Sequence, residues 1–294
     1  APLPSGVRRT DARRYNSVVL IAVLDPLEQL ETEPGTPSGM RRICLTVEYD
    51  GTHFAGLQTQ ARGERTVQSV LEAALARIPG ASPKAVAAGR TDAGVHALAM
   101  PFHYDTADSI PAPKIPYALN ALLPPDLRAL SAEEVEPDFH ARKSCHWRCY
   151  RYRILQRPMA PGLERHRVWW IPQALNLVAM RHALEALEGE HDFRAFAIKE
   201  ERSTVRRIYR AHLTVVTPLE GRSAQEIWLE FVGSGFVRGQ VRSMVGTLVE
   251  VGLGKRDSSD IPRLLEHGTR KDAGPTAPPQ GLYFVHAGYT PWNG

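Results

Sequence analysis

Residues 87–97, AAGRTDAGVHA, place an arginine, a threonine and an aspartate next to one another, with a histidine four residues after the aspartate. A carboxylate such as that of Asp92 can act as a nucleophile, and an arginine such as Arg90 can bind phosphate. The simpler alternative is a turn in which Arg90 and Asp92 form an ion pair and Gly89 and Gly94 supply the backbone angles. As a bare pattern of charges, the segment favours the simpler alternative.

A second segment, ARKSCHWRCYRYRILQRP at residues 141–158, mixes cations with aromatic side chains. Guanidinium groups suit phosphates, and flat rings suit unstacked bases. The alternative is an exposed edge strand that its charges protect from aggregation. The segment favours RNA as a partner through its cations Arg142, Lys143, Arg148, Arg151, Arg153 and Arg157 and its rings Trp147, Tyr150 and Tyr152.

Composition places the chain among globular proteins with a sizeable core, because 43% of its 294 residues are hydrophobic. The three cysteines, Cys44, Cys145 and Cys149, are too few for a disulfide framework and predict a reducing, cytoplasmic location. Cys145 and Cys149 lie near His140 and His146, but no second pair completes four ligands. We therefore expect ordinary buried thiols and no metal.

The net charge of +4 and the pI of about 9.0 favour an anionic partner. The apolar run SVVLIAVL at residues 17–24 is far too short to span a membrane. We therefore expect a soluble chain that does not contact a membrane.

Hydrophobic periodicity predicts the elements that carry the first segment. Alternation over residues 41–49 predicts a strand, helical spacing predicts a helix over 66–78, and residues 83–90 predict a further strand. Asp92 then lies in a loop at the end of that strand, where loops often carry chemistry. The second half repeats this alternation, with strands at 150–154, 205–216 and 226–233 and helices at 176–189 and 237–252.

These patterns predict an α/β protein of the α+β type with two similar halves. Each half is a mostly antiparallel sheet with helices on one face, and the two sheets join with the active-site cleft between them. We place a flexible N-terminal extension at residues 1–40, the N-terminal half with the Asp92 loop at 41–145, and the C-terminal half at 146–294.

Four stretches, in this order, resemble the TruA family of tRNA pseudouridine synthases from about residue 41 to residue 289. They are LTVEYDGTHFAGLQ with TVQSVLEAAL, then AAGRTDAGVHA, then PDFHARKSCHWRCYRYRI, and finally GFVRGQVRSMVGTLVEVG with GLYFV. The motif GRTDAGVHA is highly specific to the family. Because the other three stretches also match in the same order, a chance resemblance is implausible.

The resemblance implies isomerisation of uridine to pseudouridine in the anticodon stem-loop of tRNA, at tRNA positions 38–40. It implies a homodimer that needs neither a metal nor an organic cofactor. It also implies that Asp92 is the catalytic nucleophile and that Tyr150 stacks on the target base. Arg90 matches the arginine of the motif, and Arg242 matches the arginine of the late helix.

The residue types suit this chemistry. Breaking the glycosidic bond, turning the base and rejoining it through carbon needs a carboxylate that attacks carbon and later leaves. Whether Asp92 attacks the uracil ring or the ribose carbon stays open. Arg242 is our candidate for the charge partner of Asp92, because a neighbouring guanidinium favours the charged form. Arg90 is expected to meet phosphate or hold the flipped nucleotide.

A paired base must leave the stack before its glycosidic carbon can react, and stacking on Tyr150 would offset part of that cost. Phosphate contacts from four cations would hold the stem, although each could equally be a solvated surface charge. His96 is expected to hydrogen-bond the loop that holds Asp92, and His140 to be structural or to contact RNA. The four cations are Arg142, Lys143, Arg148 and Arg151.

The chain departs from the family pattern at Leu57, where tryptophan is usual, at Ser234, where asparagine is usual, and at Gln240, where methionine is common. These positions affect base packing and RNA grip rather than the chemistry. Two alternatives remain open: a tRNA-binding protein without turnover, and a pseudouridine synthase with another RNA target. Asp92 argues against the first, since a carboxylate in a phosphate-binding cleft repels the ligand.

Overall fold

The structure is a computed structural model that describes residues 36–61, 63–198, 203–216 and 224–294. Most of the extension predicted at residues 1–40 lies outside the described residues. Its last residues are described: the hydroxyl of Thr36 donates to the carbonyl oxygen of Pro137 at 3.1 Å. The Met40 N–H donates to the carbonyl oxygen of Pro37 at 3.0 Å, which closes a turn before the first strand.

The described residues form ten strands and five α-helices. The strands are β1 Arg41–Tyr49, β2 Val86–Ala87, β3 His96–Thr106, β4 Leu127–Val135, β5 Trp147–Gln156, β6 Trp169–Ile171, β7 Gly189–Asp192, β8 Val205–Val216, β9 Gln225–Gly233 and β10 Leu282–Gly288. The helices are α1 Val67–Leu75, α2 Ile115–Asn120, α3 Leu177–Glu185, α4 Gln240–Gly252 and α5 Asp260–His267.

All ten strands belong to one sheet with the order β4-β1-β3-β10-β5-β9-β8-β7, while β2 pairs with β3 and β6 with β5. Neighbouring strands are antiparallel except at β3–β10 and β5–β6. The last strand, β10, therefore joins the early strands to the later ones, in register Tyr283 with His96. The predicted α+β class with two joined, mostly antiparallel sheets is confirmed. The boundaries 41–145 and 146–294 stay a prediction.

The period of two along β5 separates a core face from an opposite face. Tyr150 and Tyr152 lie on the core face, paired in register with the buried Phe231 and Leu229 of β9. The intervening Arg151 lies on the opposite face, where its guanidinium pairs with Glu230. Tyr150 and Tyr152 thus face the core, while Arg151 faces the other side of the sheet.

Helix α4 begins three residues later than its predicted start at Val237. Gly239 precedes the helix with a φ of 74°, a left-handed backbone conformation that residues other than glycine rarely adopt. The side-chain oxygen of Gln240 accepts from the Val237 N–H at 2.9 Å, which stabilises this turn. Val237 and Arg238 consequently lie in the loop that leads into the helix rather than on the helix itself.

The helix predicted over 66–78 is α1, and it begins where the sequence indicates. Thr66 caps it, since its hydroxyl oxygen accepts from the Ser69 N–H at 3.1 Å and the Ser69 hydroxyl accepts from the Thr66 N–H. The strand predicted over 83–90 is shorter, because β2 contains only two residues before the backbone turns into the Asp92 loop.

Cys44 and Cys145 are buried and Cys149 is half-buried, all as free thiols. Burial raises the pKa of Cys44 and of Cys149 to about 12. Within the part of the chain that the structure describes, no three His, Cys, Asp or Glu side chains converge as metal ligands. No helix of the described ranges has the length and apolar character that crossing a bilayer requires.

Candidate active site

The end of β1 holds the loop that carries Asp92. The Tyr49 phenol shares a hydrogen bond of 2.7 Å with the Thr91 hydroxyl, next to Asp92. Burial raises the pKa of Tyr49, so the phenol stays protonated. The Leu57 N–H donates to the carbonyl oxygen of Thr91 at 3.1 Å. Thr91 is therefore fixed through both its side chain and its backbone.

Gly51, which follows β1, packs against the same loop. A Cβ at this position would lie 2.0 Å from the carbonyl oxygen of Val95, so any side chain would displace the loop. The Gly51 N–H donates to Nδ1 of His96 at 3.0 Å. The turn after β1 and the end of the Asp92 loop therefore fit together without intervening side chains.

His96 is 2% exposed, and burial lowers its pKa although Asp50 opposes the shift. Because Nδ1 accepts from Gly51, the neutral ring carries its proton on Nε2, which donates to the carbonyl oxygen of His166 at 2.9 Å. The ring also stacks on Tyr283 at 4.7 Å. His96 is thus fully used in anchoring the loop, as its position in the sequence led us to expect.

Asp92 meets Arg242 across the cleft. Nη1 of Arg242 donates to Oδ2 of Asp92 at 3.0 Å, and Nε donates to the carbonyl oxygen of Ala277 at 2.7 Å. The Arg242 side chain is 17% exposed, whereas that of Asp92 is 35% exposed. The bond to Ala277 therefore fixes the Arg242 guanidinium, while part of the Asp92 carboxylate stays accessible from the cleft.

Tyr150 forms part of the cleft wall beside Asp92. Its ring contacts the rings of Phe236 and Phe284 nearly at right angles, with centroids 5.1 and 5.3 Å away. A Cβ at Gly89 would lie 3.6 Å from the Tyr150 hydroxyl, so the loop backbone passes close to the phenol. Burial raises the pKa of Tyr150, so the phenol stays protonated, and the residue is 7% exposed.

The cleft has a volume of about 1060 Å³, above the usual range of small-molecule pockets, which extends to about 1,000 Å³. Among the described residues that line it, Asp92 is the one acid. Six arginines line it as well, and their summed positive potential suits a polyanion. They are Arg90, Arg142, Arg148, Arg206, Arg238 and Arg242.

Most of the residues that line this cleft lie in stretches of the sequence that match a known family. A family model described as tRNA pseudouridine synthase matches residues 45–142 and 183–290. The chain belongs to this family. Membership makes the protein an isomerase that converts uridine of tRNA to pseudouridine.

Relatives of this tRNA pseudouridine synthase carry the same description. The tRNA pseudouridine synthase A of Thermus thermophilus is 58% identical over 250 residues, which cover 85% of this chain and 97% of the relative. The enzyme of the same name from an Exiguobacterium species is 45% identical, over 85% of this chain and 98% of the relative. The one from Geobacillus kaustophilus is 41% identical, over 85% and 95%.

Two of the cations that the sequence predicted to bind RNA in this synthase, Arg148 and Arg151, instead contact groups of the protein itself. The N–H groups of Arg148 all donate to backbone carbonyl oxygens, which leaves none for the predicted phosphate contact. Arg151 lies on the opposite face of the sheet, paired with Glu230 and placed over the Trp228 ring at 3.9 Å. Neither arrangement fits a contact with RNA in the cleft.

The remaining predicted contacts lie at the cleft or beside it. Arg90 and Arg142 line the cleft, and Lys143 is the exposed residue after Arg142. Nδ1 of His140 accepts from the backbone N–H groups of Arg142 and Lys143, so this ring shapes the turn that presents both cations. These contacts give His140 a structural role, and the contact with RNA that the sequence also allowed stays a prediction.

Arg206 and Arg238 also line the cleft of this synthase, although the sequence did not predict it. Arg238 was placed inside a helix, whereas it lies in the loop before α4 and faces the cleft. The signal that could have corrected this was Gly239, a residue that favours a break just before the helical stripe begins. Arg206 lies at the start of β8, and nothing local in the sequence places it near Asp92.

Proposed function

We propose that this enzyme acts on the anticodon stem-loop of tRNA, at tRNA positions 38–40, with Asp92 as the nucleophile. The observation that supports the proposal best is the setting of Asp92. It is the one acid among the described residues that line an arginine-rich cleft, and Arg242 holds it at 3.0 Å. A carboxylate that repels the anionic substrate needs a role, and nucleophilic attack is the role that the isomerisation requires.

The reaction breaks the bond between ribose C1′ and uracil N1 and forms a bond between C1′ and C5 of the same base. Asp92 adds to a carbon of the substrate and leaves again once the base has turned. C5 loses its proton to solvent, and N1, no longer bonded to the ribose, takes up a proton from solvent. Nothing is oxidised or reduced. Attack at the ribose and attack at the uracil ring both remain compatible with the position of Asp92.

We further propose roles for the residues around Asp92. Arg242 is its charge partner, and it orients the carboxylate through the same guanidinium that bonds Ala277. Tyr150 offers the flat surface on which the flipped uracil stacks. Arg90, an exposed residue two positions before Asp92, meets a phosphate or holds the flipped nucleotide.

The remaining grip on RNA is assigned to cations on the two sides of the cleft. Arg142 and Lys143 belong to the turn that His140 shapes, and Arg206 and Arg238 lie on the other side, near α4. Phosphate contacts from these four would position the stem without reading its sequence.

The functional unit is proposed to be a cytoplasmic homodimer. The resemblance to the family implies the dimer. Light scattering should give twice the chain mass of 32.6 kDa. A solution mass of one chain at micromolar concentration would contradict the dimer.

The target site can be tested directly. The enzyme is incubated with unmodified tRNA transcripts, and pseudouridine is mapped along each product. We expect modification at positions 38–40 where uridine stands there, and none elsewhere. Pseudouridine in another part of the tRNA would favour the alternative of a different target, and tight binding without any pseudouridine would favour the alternative of a binding protein.

A further inference from the structure

Arg148 of β5 makes five hydrogen bonds through its guanidinium, all to backbone carbonyl oxygens. Nε and Nη2 donate to Ala88 at 3.3 and 3.1 Å, and Nη2 also donates to Arg142 at 2.8 Å. Nη1 donates to Ser234 at 2.9 Å and to Cys145 at 3.3 Å. A guanidinium has five N–H groups, so every donor is used inside the protein.

The acceptors belong to three separate segments that form the walls of the cleft. Ala88 directly precedes the loop that carries Asp92, and Ser234 directly precedes the loop that carries Phe236 and Arg238. Arg142 and Cys145 belong to the basic segment before β5. Arg148 therefore donates to segments that lie far from it in the sequence. Ala88 lies 60 positions before Arg148, and Ser234 lies 86 positions after it.

The groups around the Arg148 guanidinium are all hydrogen-bond acceptors. Four carbonyl dipoles point their negative ends at one position, and only a delocalised cation with a planar set of donors can satisfy them together. An ammonium group is a point charge with three donors on one atom, and an apolar side chain would leave the carbonyl groups unpaired. The carbonyls would then repel one another, and the loops that carry them would move apart.

Arg148 also lies close to the stacking surface. It precedes Tyr150 by two residues on the same face of β5, and its positive charge lowers the pKa of the Tyr150 phenol against the larger raising effect of burial. Movement of the Ala88 segment would displace Gly89, whose Cβ position lies 3.6 Å from the Tyr150 hydroxyl. A shift at Arg148 therefore reaches both the loop of Asp92 and the ring of Tyr150.

We propose that Arg148 is a positioning residue that sets the distance between the Asp92 loop and the loop before α4, and that it does not bind RNA phosphate. The proposal rests on the proposed function, in which Asp92 and Tyr150 act on the flipped uridine. It assigns to Arg148 an effect on the chemical step and no direct contact with RNA phosphate.

The test compares Arg148→Lys and Arg148→Met with the parent and with Arg151→Met. Arg151 is the matched control, an arginine three residues further along β5 whose guanidinium lies on the opposite face. Each protein is assayed by single-turnover release of tritium from tRNA labelled at uracil C5, with enzyme in excess, and by tRNA affinity at several salt concentrations. Melting temperatures identify the folded fraction, and all rates are measured well below them.

We expect Arg148→Lys to lower the single-turnover rate by about 10- to 100-fold, the effect of a small misplacement of reacting groups. Its tRNA affinity and the slope of log affinity against log salt should stay close to the parent. Arg148→Met should lower the rate at least as far, and Arg151→Met should leave it unchanged.

Three results would overturn the proposal. A parent-like rate at saturating enzyme with weaker, less salt-dependent binding would make Arg148 a phosphate contact. Rates equal to the parent in both variants would remove any role in positioning. Failure of both variants to fold would assign Arg148 to global stability. If the parent itself released no tritium, the proposed function would fail instead, so the two failures are distinguishable.

Discussion

Asp92 and Arg242 lie 150 positions apart and meet at 3.0 Å. The charge pattern alone favoured an ion pair between Arg90 and Asp92, and the structure pairs Asp92 with Arg242 instead. Only the resemblance pointed to Arg242, because a partner from a distant helix leaves no mark in the local sequence. At the level of single residues, the types were therefore predictable and the long-range partner was not.

The strand alternation around Arg148 and Arg151 indicates that the two side chains lie on opposite faces of β5. Both were grouped as phosphate contacts because of their charge. The alternation of WRCYRYRI along a strand places Arg148 on the face of Tyr150 and Arg151 on the other face. Period two could have separated them, whereas the four carbonyl partners of Arg148 depend on loops that only the folded chain brings together.

The ring of Tyr150 can be tested separately from its hydroxyl. Tyr150→Phe keeps the contacts with Phe236 and Phe284, so the melting temperature and the tRNA affinity should match the parent. Tyr150→Leu removes the flat surface, and tRNA binding should weaken by about 1–3 kcal/mol for the one stacked base. Binding titrations and single-turnover assays check this. Equal binding and turnover in the two variants would place Tyr150 in the core without contact to the base.

At the scale of elements, several helices and strands followed from hydrophobic periodicity, as α1 shows. The start of α4 did not, since hydrophobic spacing continued through Val237 while the backbone of Gly239 is left-handed. Pairing of β10 with β3 was equally hidden, because the order of strands in a sheet depends on contacts across the whole chain. These two features bring Arg238 and Arg242 to the Asp92 loop.

The contact between β3 and the turn after β1 predicts a dependence of stability on pH. Burial lowers the folded-state pKa of His96 below the ordinary value of 6.5, so the unfolded chain binds a proton more readily. Its contribution to stability is complete above about pH 6.5 and is lost as pH falls through the folded-state pKa. The free energy of unfolding should therefore fall on acidification by up to about 1.4 kcal/mol per pH unit from this group.

The measurement is urea unfolding at pH 7.5 and pH 5.5. His96→Asn keeps an acceptor for the Gly51 N–H but does not titrate, so its loss of stability between the two pH values should be smaller than that of the parent. His182→Asn, at an exposed position, serves as the control. A loss as large in His96→Asn as in the parent would show that the acid sensitivity arises elsewhere.

On the scale of the whole molecule, the net charge of +4 is modest and its distribution matters more. The sequence predicted a basic RNA-binding cleft between joined sheets, and a cleft lined by six arginines lies between β5, α4 and the Asp92 loop. It did not predict which arginines face it, since Arg206 reaches the cleft from the start of β8. Long-range packing selects among the many basic residues of the chain.

Binding to tRNA should depend strongly on salt, because phosphate contacts release counterions. Replacing Arg90 and Arg238 together by glutamine should weaken binding and lower the slope of log affinity against log salt by about 1–2, since each lost phosphate contact removes about 0.7–0.9. Arg151→Gln, on the opposite face, should leave the slope unchanged. Binding isotherms at several salt concentrations decide this, and an unchanged slope in the double variant would place the RNA path elsewhere.

The central claim is that Asp92 forms a covalent bond with the substrate, and Asp92→Asn tests it most directly. The amide keeps the shape of the side chain and a hydrogen-bonding oxygen facing Arg242 but lacks the nucleophilic charge. The measurement is single-turnover release of tritium from tRNA labelled at uracil C5, with enzyme in excess so that binding does not limit the rate. We predict a melting temperature and tRNA affinity close to the parent, with release slower by several orders of magnitude. Release within about tenfold of the parent, equivalent to ~1.4 kcal/mol of barrier, would contradict the account.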